Sequence, residues 1–142
     1  MNTDDDYMEI LSAEESLELM STVTLGRLVV RRKDDIDLFP LNYAVDEGKI
    51  YFRTAEGTKL FSLALGNEVL FEADHAELDD ALAWSVIIKG QARILTSHAE
   101  ILAAEELPVK PWTPSLKYNF VEITPKEISG RRFQLGEEPE RY

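Results

Sequence analysis

Apolar positions along the chain recur mostly with a period of two, in short runs separated by charged or turn-forming residues. That spacing predicts half-buried strands. Leu28–Val30, residues 37–45, Lys49–Arg53, Glu68–Ala73, Trp84–Leu95, Tyr118–Thr124 and Ile128–Gln134 read as strands. Arg31 to Asp35 reads as a turn, Asp46-Glu-Gly48 as a hairpin turn, and Asp74 to Asp80 as an acidic loop. Pro40 cannot donate to a ladder and marks an edge or bulge, and Gly90 marks a bulge or a close backbone approach. Helical spacing appears in only three places. Ser12-Ala-Glu-Glu15 is a capping box opening a short helix to about Thr22. Thr58 caps a second helix carrying Leu60, Phe61, Leu63, Ala64 and Leu65, and Ser97-His-Ala-Glu100 repeats the box before a third ending near Glu106. The Pro108–Pro114 segment interrupts regular structure, and Pro125-Lys-Glu joins the last two strands.

Six to seven strands joined mainly by hairpins, with peripheral short helices, favour an antiparallel sheet over a parallel doubly wound one. Such a sheet hides its edges most easily by curling. The expected class is mainly β, a Greek-key or split β-barrel. The expected organisation is one domain over residues 11–136, after a flexible acidic arm (residues 1–10) and before a tail (residues 137–142).

Charge narrows the function. Fifteen Lys and Arg oppose 27 Asp and Glu for a net charge of −12, which argues against nucleic-acid binding. No apolar run approaches the length of a membrane helix, and the N-terminus reads as no signal peptide. Cysteine is absent, which fits a reducing cytoplasm and removes thiolate chemistry and cysteine metal sites. His75 and His98 are far apart and show no ligand spacing, so no metal site is expected. Nucleotide-loop and nucleophile-elbow motifs are also missing, so any chemistry must come from a bound cofactor.

One constellation suits an anion. Arg53, Thr54, Gly57, Thr58 and Lys59 fall at a strand end, a turn and a helix start. Cations, hydroxyls and free backbone N–H groups are what a phosphate requires. The same residue types also suit an ordinary capped helix with surface cations. Three further segments are candidates: the broken strand through Leu41, Asn42 and Tyr43, the run Trp84-Ser85-Val86, and Gly130-Arg131-Arg132, whose arginines alternate to opposite faces. Tyr43 and Ser85 also carry hydroxyls that a substrate could use.

Leu25-Gly-Arg-Leu28, Pro40-Leu-Asn-Tyr43 and the run from Ile50 to Leu60 together resemble the pyridoxamine 5′-phosphate oxidase-like flavin-binding family. Within it they resemble the small bacterial branch that includes nitroimidazole-resistance proteins. Trp84 to Gly90, Ala92-Arg93, Pro111-Trp112 and Ile128 to Arg132 continue the likeness in order. The resemblance implies a split-barrel homodimer with FMN in clefts between subunits. It places the flavin phosphate on Arg53, Thr54, Thr58 and Lys59, and the ring along Leu41, Asn42 and Tyr43. Trp84, Ser85 and Val86 would be neighbours, with Trp112 and Arg131 as further contacts. It does not extend to the vitamin-producing oxidase, whose arginine-rich C-terminal signature is shortened here to Arg131-Arg132. The implied activity is a flavin-dependent oxidoreductase acting on a small molecule, with reduced nicotinamide as a possible donor. A non-catalytic flavin carrier or sensor, a deazaflavin-dependent reductase and a purely structural dimer are the alternatives.

Overall fold

The computed structural model describes residues 7–55, 68–109 and 118–136. Strand β1 (Met8–Leu11) leads into helix α1 (Ala13–Met20), followed by β2 (Leu25–Arg32), β3 (Asp35–Asn42), β4 (Ala44–Asp46) and β5 (Lys49–Ala55). Then come β6 (Glu68–Glu77), β7 (Leu82–Ile94), helix α2 (His98–Glu105) and β8 (Tyr118–Gln134). Every pairing is antiparallel. Neighbours run β3-β2-β6-β7-β8-β5-β4, and β1 adds to β8.

The order explains the curl. β3 and β4 stand at opposite ends of the sheet, yet only Tyr43 separates them in sequence. Consecutive Cα atoms lie about 3.8 Å apart, so the two ends must meet and the sheet must bend round. The Tyr43 N–H then donates to the Thr24 carbonyl at 3.0 Å, fastening the corner. Inside the curl, Leu28, Val30, Ile50, Phe52, Phe71, Val86, Ile88, Val121 and Ile123 are buried, and Met20 of α1 packs against them. The chain is therefore mainly β, an antiparallel half-barrel with two helices among the described residues.

Local details depart from the sequence expectations for identifiable reasons. Met8–Leu11 is a strand, although residues 1–10 read as a flexible arm. It pairs with Leu11↔Gly130 to Met8↔Phe133, on the stretch of β8 beyond the residues that β5 covers, so it satisfies backbone that would otherwise be an open edge. The expected strand over residues 37–45 breaks at Tyr43 into β3 and β4. Arg31 and Arg32 extend β2, and the turn contracts to Lys33-Asp34. Asp74 to Glu77 belong to β6, with only the Leu78–Ala81 stretch turning, because β7 offers a full ladder as far as Glu77↔Leu82. The predicted helix after Thr58 and most of the proline-rich segment lie outside the described residues.

The two strands expected on either side of Pro125 are one, β8. The register slips where Lys89 faces Glu127 and Gly90 faces Pro125, leaving Lys126 as the extra residue. The bulge accommodates a proline that has no N–H to give. Gly90 is required there, since a Cβ on it would be driven into the Thr124 carbonyl. Gly90→Ala is expected to cost at least about 1–3 kcal/mol, the usual penalty of overpacking against atoms that cannot move aside. An unchanged urea midpoint for this variant would show that the bulge yields freely.

Both helices start as capping chemistry dictates, with one difference. In α1 the Glu15 N–H donates to Ser12 Oγ at 3.1 Å and the Ser12 N–H to Glu15 Oε1 at 3.2 Å. These bonds to Ser12 hold the Glu15 carboxyl below its ordinary range. Ser97 caps α2 through the Glu100 N–H, but the Glu100 carboxylate turns away to the Arg93 guanidinium. Arg93 also donates through Nε to the buried Glu122 at 2.9 Å, so one arginine ties α2 to β8.

Candidate functional site

The far end of β5 carries the strongest candidate chemistry. Its ladder with β8 pairs Arg53 with Phe120, Thr54 with Asn119 and Ala55 with Tyr118. Alternation therefore sends Arg53 to the face of Tyr118 and Phe120, and Thr54 to the opposite face with Asn119. The Arg53 guanidinium carbon lies 4.4 Å from the Tyr118 ring centroid and 5.1 Å from that of Phe120. Those two rings meet edge to face at 5.6 Å, forming a platform that fixes the cation.

Two donors at this strand end have no partner. Arg53 Nε and Asn119 Nδ2 are both buried without a hydrogen-bond acceptor. Leaving a buried donor unsatisfied costs about 1–3 kcal/mol, so such atoms call for an explanation. Thr54 is buried and has interactions of its own. Thr58, Lys59 and Trp112 lie outside the described residues.

The other candidates sort by face. Leu41, Tyr43, Trp84 and Val86 are buried within the chain's own core. Asn42, Ser85 and Arg131 alternate with them and lie on the outer face of the sheet. Ser85 is paired directly with both Asp74 and Arg131, so the structure brings Ser85 and Arg131 together and keeps Trp84 and Val86 apart from them. Asn42 has interactions of its own.

Tyr43 is committed to the fold. Its hydroxyl donates to the Met20 carbonyl at 2.6 Å, and its ring meets Phe71 edge-on at 5.0 Å. Burial pushes its phenol pKa upward. With its N–H also bonded to the Thr24 carbonyl, the hydroxyl and the N–H of Tyr43 are both engaged within the fold.

Two further groups have no clear signature in the sequence. Asn119 gave no signal beyond being a polar residue in an apolar strand. The second group is Arg27, Glu72 and Asp74 on the outer face. Arg27 Nε donates to Glu72 Oε1 at 2.6 Å and its Nη2 to Asp74 Oδ2 at 2.5 Å. Burial foremost, and then the hydrogen bond shared with Asp74, raises the Glu72 carboxyl pKa despite the arginine. The i, i+2 spacing of the two acids is the available clue, but in the sequence Glu72 reads as strand and Asp74 as the start of an acidic loop, whereas β6 carries both.

The profile of the pyridoxamine 5′-phosphate oxidase family matches residues 12–132, from the cap of α1 almost to the end of β8. The chain belongs to the pyridoxamine 5′-phosphate oxidase family. A Corynebacterium glutamicum protein provisionally assigned as a pyridoxamine 5′-phosphate oxidase is 53% identical, with a TM-score of 0.86 over 94% of this chain and 98% of that one. A FAD-binding protein of Mycobacterium smegmatis is 42% identical, with a TM-score of 0.82 over 90% of this chain and all (100%) of that one. An uncharacterised protein of Mycobacterium tuberculosis H37Rv is 47% identical over 92 residues, covering 65% of this chain and 82% of that protein. In this member of the pyridoxamine 5′-phosphate oxidase family, the matched span includes β5, nearly all of β8, and Arg27, Glu72, Asp74, Ser85 and Arg131. No helix among its described residues is long and apolar enough to cross a membrane.

Proposed function

We propose that the chain binds a flavin nucleotide, FMN in the first instance, as a homodimer and works as a flavin-dependent oxidoreductase on a small molecule. The observation that carries this reading is the pair of buried, unpartnered donors, Arg53 Nε and Asn119 Nδ2, at the strand end leading to Gly57, Thr58 and Lys59. A phosphate is the natural acceptor for a guanidinium whose plane is already fixed by two aromatic rings. Because alternation puts Arg53 and Asn119 on opposite faces, Arg53 is assigned to the phosphate. Asn119 is assigned to a separate polar group of the ligand.

When bound, the flavin supplies hydride or single-electron transfer. The chain's own residues bind and orient it. Ser85 Oγ and Arg131 face outward from adjacent strands and are available to polar atoms over the sheet. Leu25, Ile36, Leu38 and Ile87 are large apolar residues exposed on that same face, which supports a second copy as its cover. The lack of cysteine supports a cytoplasmic setting.

A specific observation favours FAD as the second reading, since the 42% identical relative is a FAD-binding protein. The test is titration of the purified chain with FMN and with FAD, followed by desalting and a visible spectrum. About one flavin retained per chain is expected, and tighter retention of one nucleotide decides between them. Binding of neither overturns the flavin reading. Bleaching of the bound flavin by reduced nicotinamide separates an oxidoreductase from a carrier.

A further inference from the structure

We propose that Arg27, Glu72 and Asp74 form a proton-controlled latch on the outer face of the sheet, so that self-association of the chain tightens as pH falls. The proposal rests on the dimer reading above and adds its regulation. Alternation along β6 turns Glu72 and Asp74 to the same outward face, and a single guanidinium serves both carboxylates. The formal charge of the cluster is thus −1.

Apart from Ser85, which is paired with Asp74, its immediate cross-strand neighbours are apolar. Ile87 is paired with Glu72 across β7, Pro40 with Arg27 across β3, and Leu25, Val29 and Leu70 lie two residues along on the same face. The charged groups on the face of Glu72 are Arg27 and Arg31 of β2, Glu68 and Asp74 of its own strand, Lys89 of β7 and, beyond Ser85 from Asp74, Arg131 of β8. Lys89, two residues beyond Ile87 on β7, is engaged by Glu127 at 3.8 Å. Tyr43, buried in the core at the β3–β4 corner, lies within electrostatic reach of Glu72, and burial holds its phenol neutral.

Covering this face with a second copy brings two such clusters, each with surplus negative charge, out of water. A buried carboxylate without its own cation is strongly disfavoured. One proton taken from solvent at Glu72 resolves the surplus, because the neutral acid then donates to Asp74, which keeps the Arg27 bond. The carboxyl of Glu72 is already raised in the single chain by burial and by its bond with Asp74. Association raises it further. A group that holds its proton more tightly in the associated state makes association stronger as pH falls through that range. The limit is about tenfold per pH unit for each proton taken up.

Sedimentation equilibrium of the full chain, in one fixed flavin state, tests this. The dimer dissociation constant is expected to fall at least about tenfold between about pH 8 and about pH 5.5. Glu72→Gln, which mimics the neutral acid, is expected to associate tightly and with little pH slope. If that variant fails to fold, Asp74→Asn serves in its place, since it too removes the surplus charge. A dimer whose affinity is flat with pH, or an unchanged slope in the variant, overturns the latch while leaving the dimer in place. A monomer at every pH overturns both.

Discussion

Replacing Arg53 and Lys59 together with alanine is expected to weaken flavin binding by about 3–6 kcal/mol, two charge-assisted phosphate bonds at about 1.5–3 kcal/mol each. Arg53→Ala alone is expected to raise the dissociation constant roughly 10- to 150-fold on the same scale. Arg53→Lys should fall between. It keeps the charge but loses the planar fork that lies over Tyr118 and Phe120. The unliganded chain gives an independent check. Because Arg53 Nε is buried without an acceptor, its removal relieves an unsatisfied donor, so the unliganded variant should unfold at a midpoint close to the parent's. The difference should appear only on adding flavin, which stabilises the parent by mass action and the variant much less. Fluorescence titration and thermal unfolding with and without FMN provide both readings. Unchanged affinity in a folded double variant would remove the strand end of β5 from the flavin site.

The fold was legible where local chemistry and periodicity agree. The alternation of Lys49–Arg53 and the capping box at Ser12 each carry a residue pattern with one physical reading, and both readings of Gly90, a bulge and a close backbone approach, hold in the structure. What escaped depended on partners distant in sequence. Met8–Leu11 is too short to signal a strand by itself and becomes one because β8 has backbone to satisfy beyond β5. Asp74 to Glu77 look like a solvated loop until β7 pairs with them. Ser97 and Glu100 have the spacing of a full capping box, yet Arg93 on β7 takes the Glu100 carboxylate from its own helix. The candidate site divides the same way. Arg53 is legible as a cation at a strand end, while Ser85 as a flavin neighbour and Arg131 as a further contact come only from the resemblance. The orphaned Asn119 and the shared guanidinium of Arg27 required the ladders to be in place.

Phe71→Ala is expected to cost about 3–5 kcal/mol of folding stability, the usual range for deleting a buried aromatic ring. That is a large part of the roughly 5–15 kcal/mol that a domain possesses. Phe71 is fully buried on β6, and its ring meets Tyr43 edge-on at the corner where the two ends of the sheet join. The loss therefore includes an aromatic pair of about 0.5–1.5 kcal/mol as well as the cavity. The space for this ring comes from Gly26 on β2, where an added Cβ would lie 2.5 Å from Phe71 Cζ. Gly26→Ala alone should accordingly destabilise by about 1–3 kcal/mol through overpacking. Once the ring is gone, the worst of the clash goes with it, and the methyl's remaining close neighbour is the Glu72 carbonyl oxygen at 3.0 Å. Gly26→Ala in the Phe71→Ala background should then cost less than it does alone, giving a coupling of about 1 kcal/mol or more in a double-mutant cycle. Urea unfolding followed by far-UV circular dichroism measures all four members. Strict additivity, within about 0.5 kcal/mol, would mean that the ring and the glycine do not share that space and that the corner is held by the Tyr43 hydrogen bonds alone.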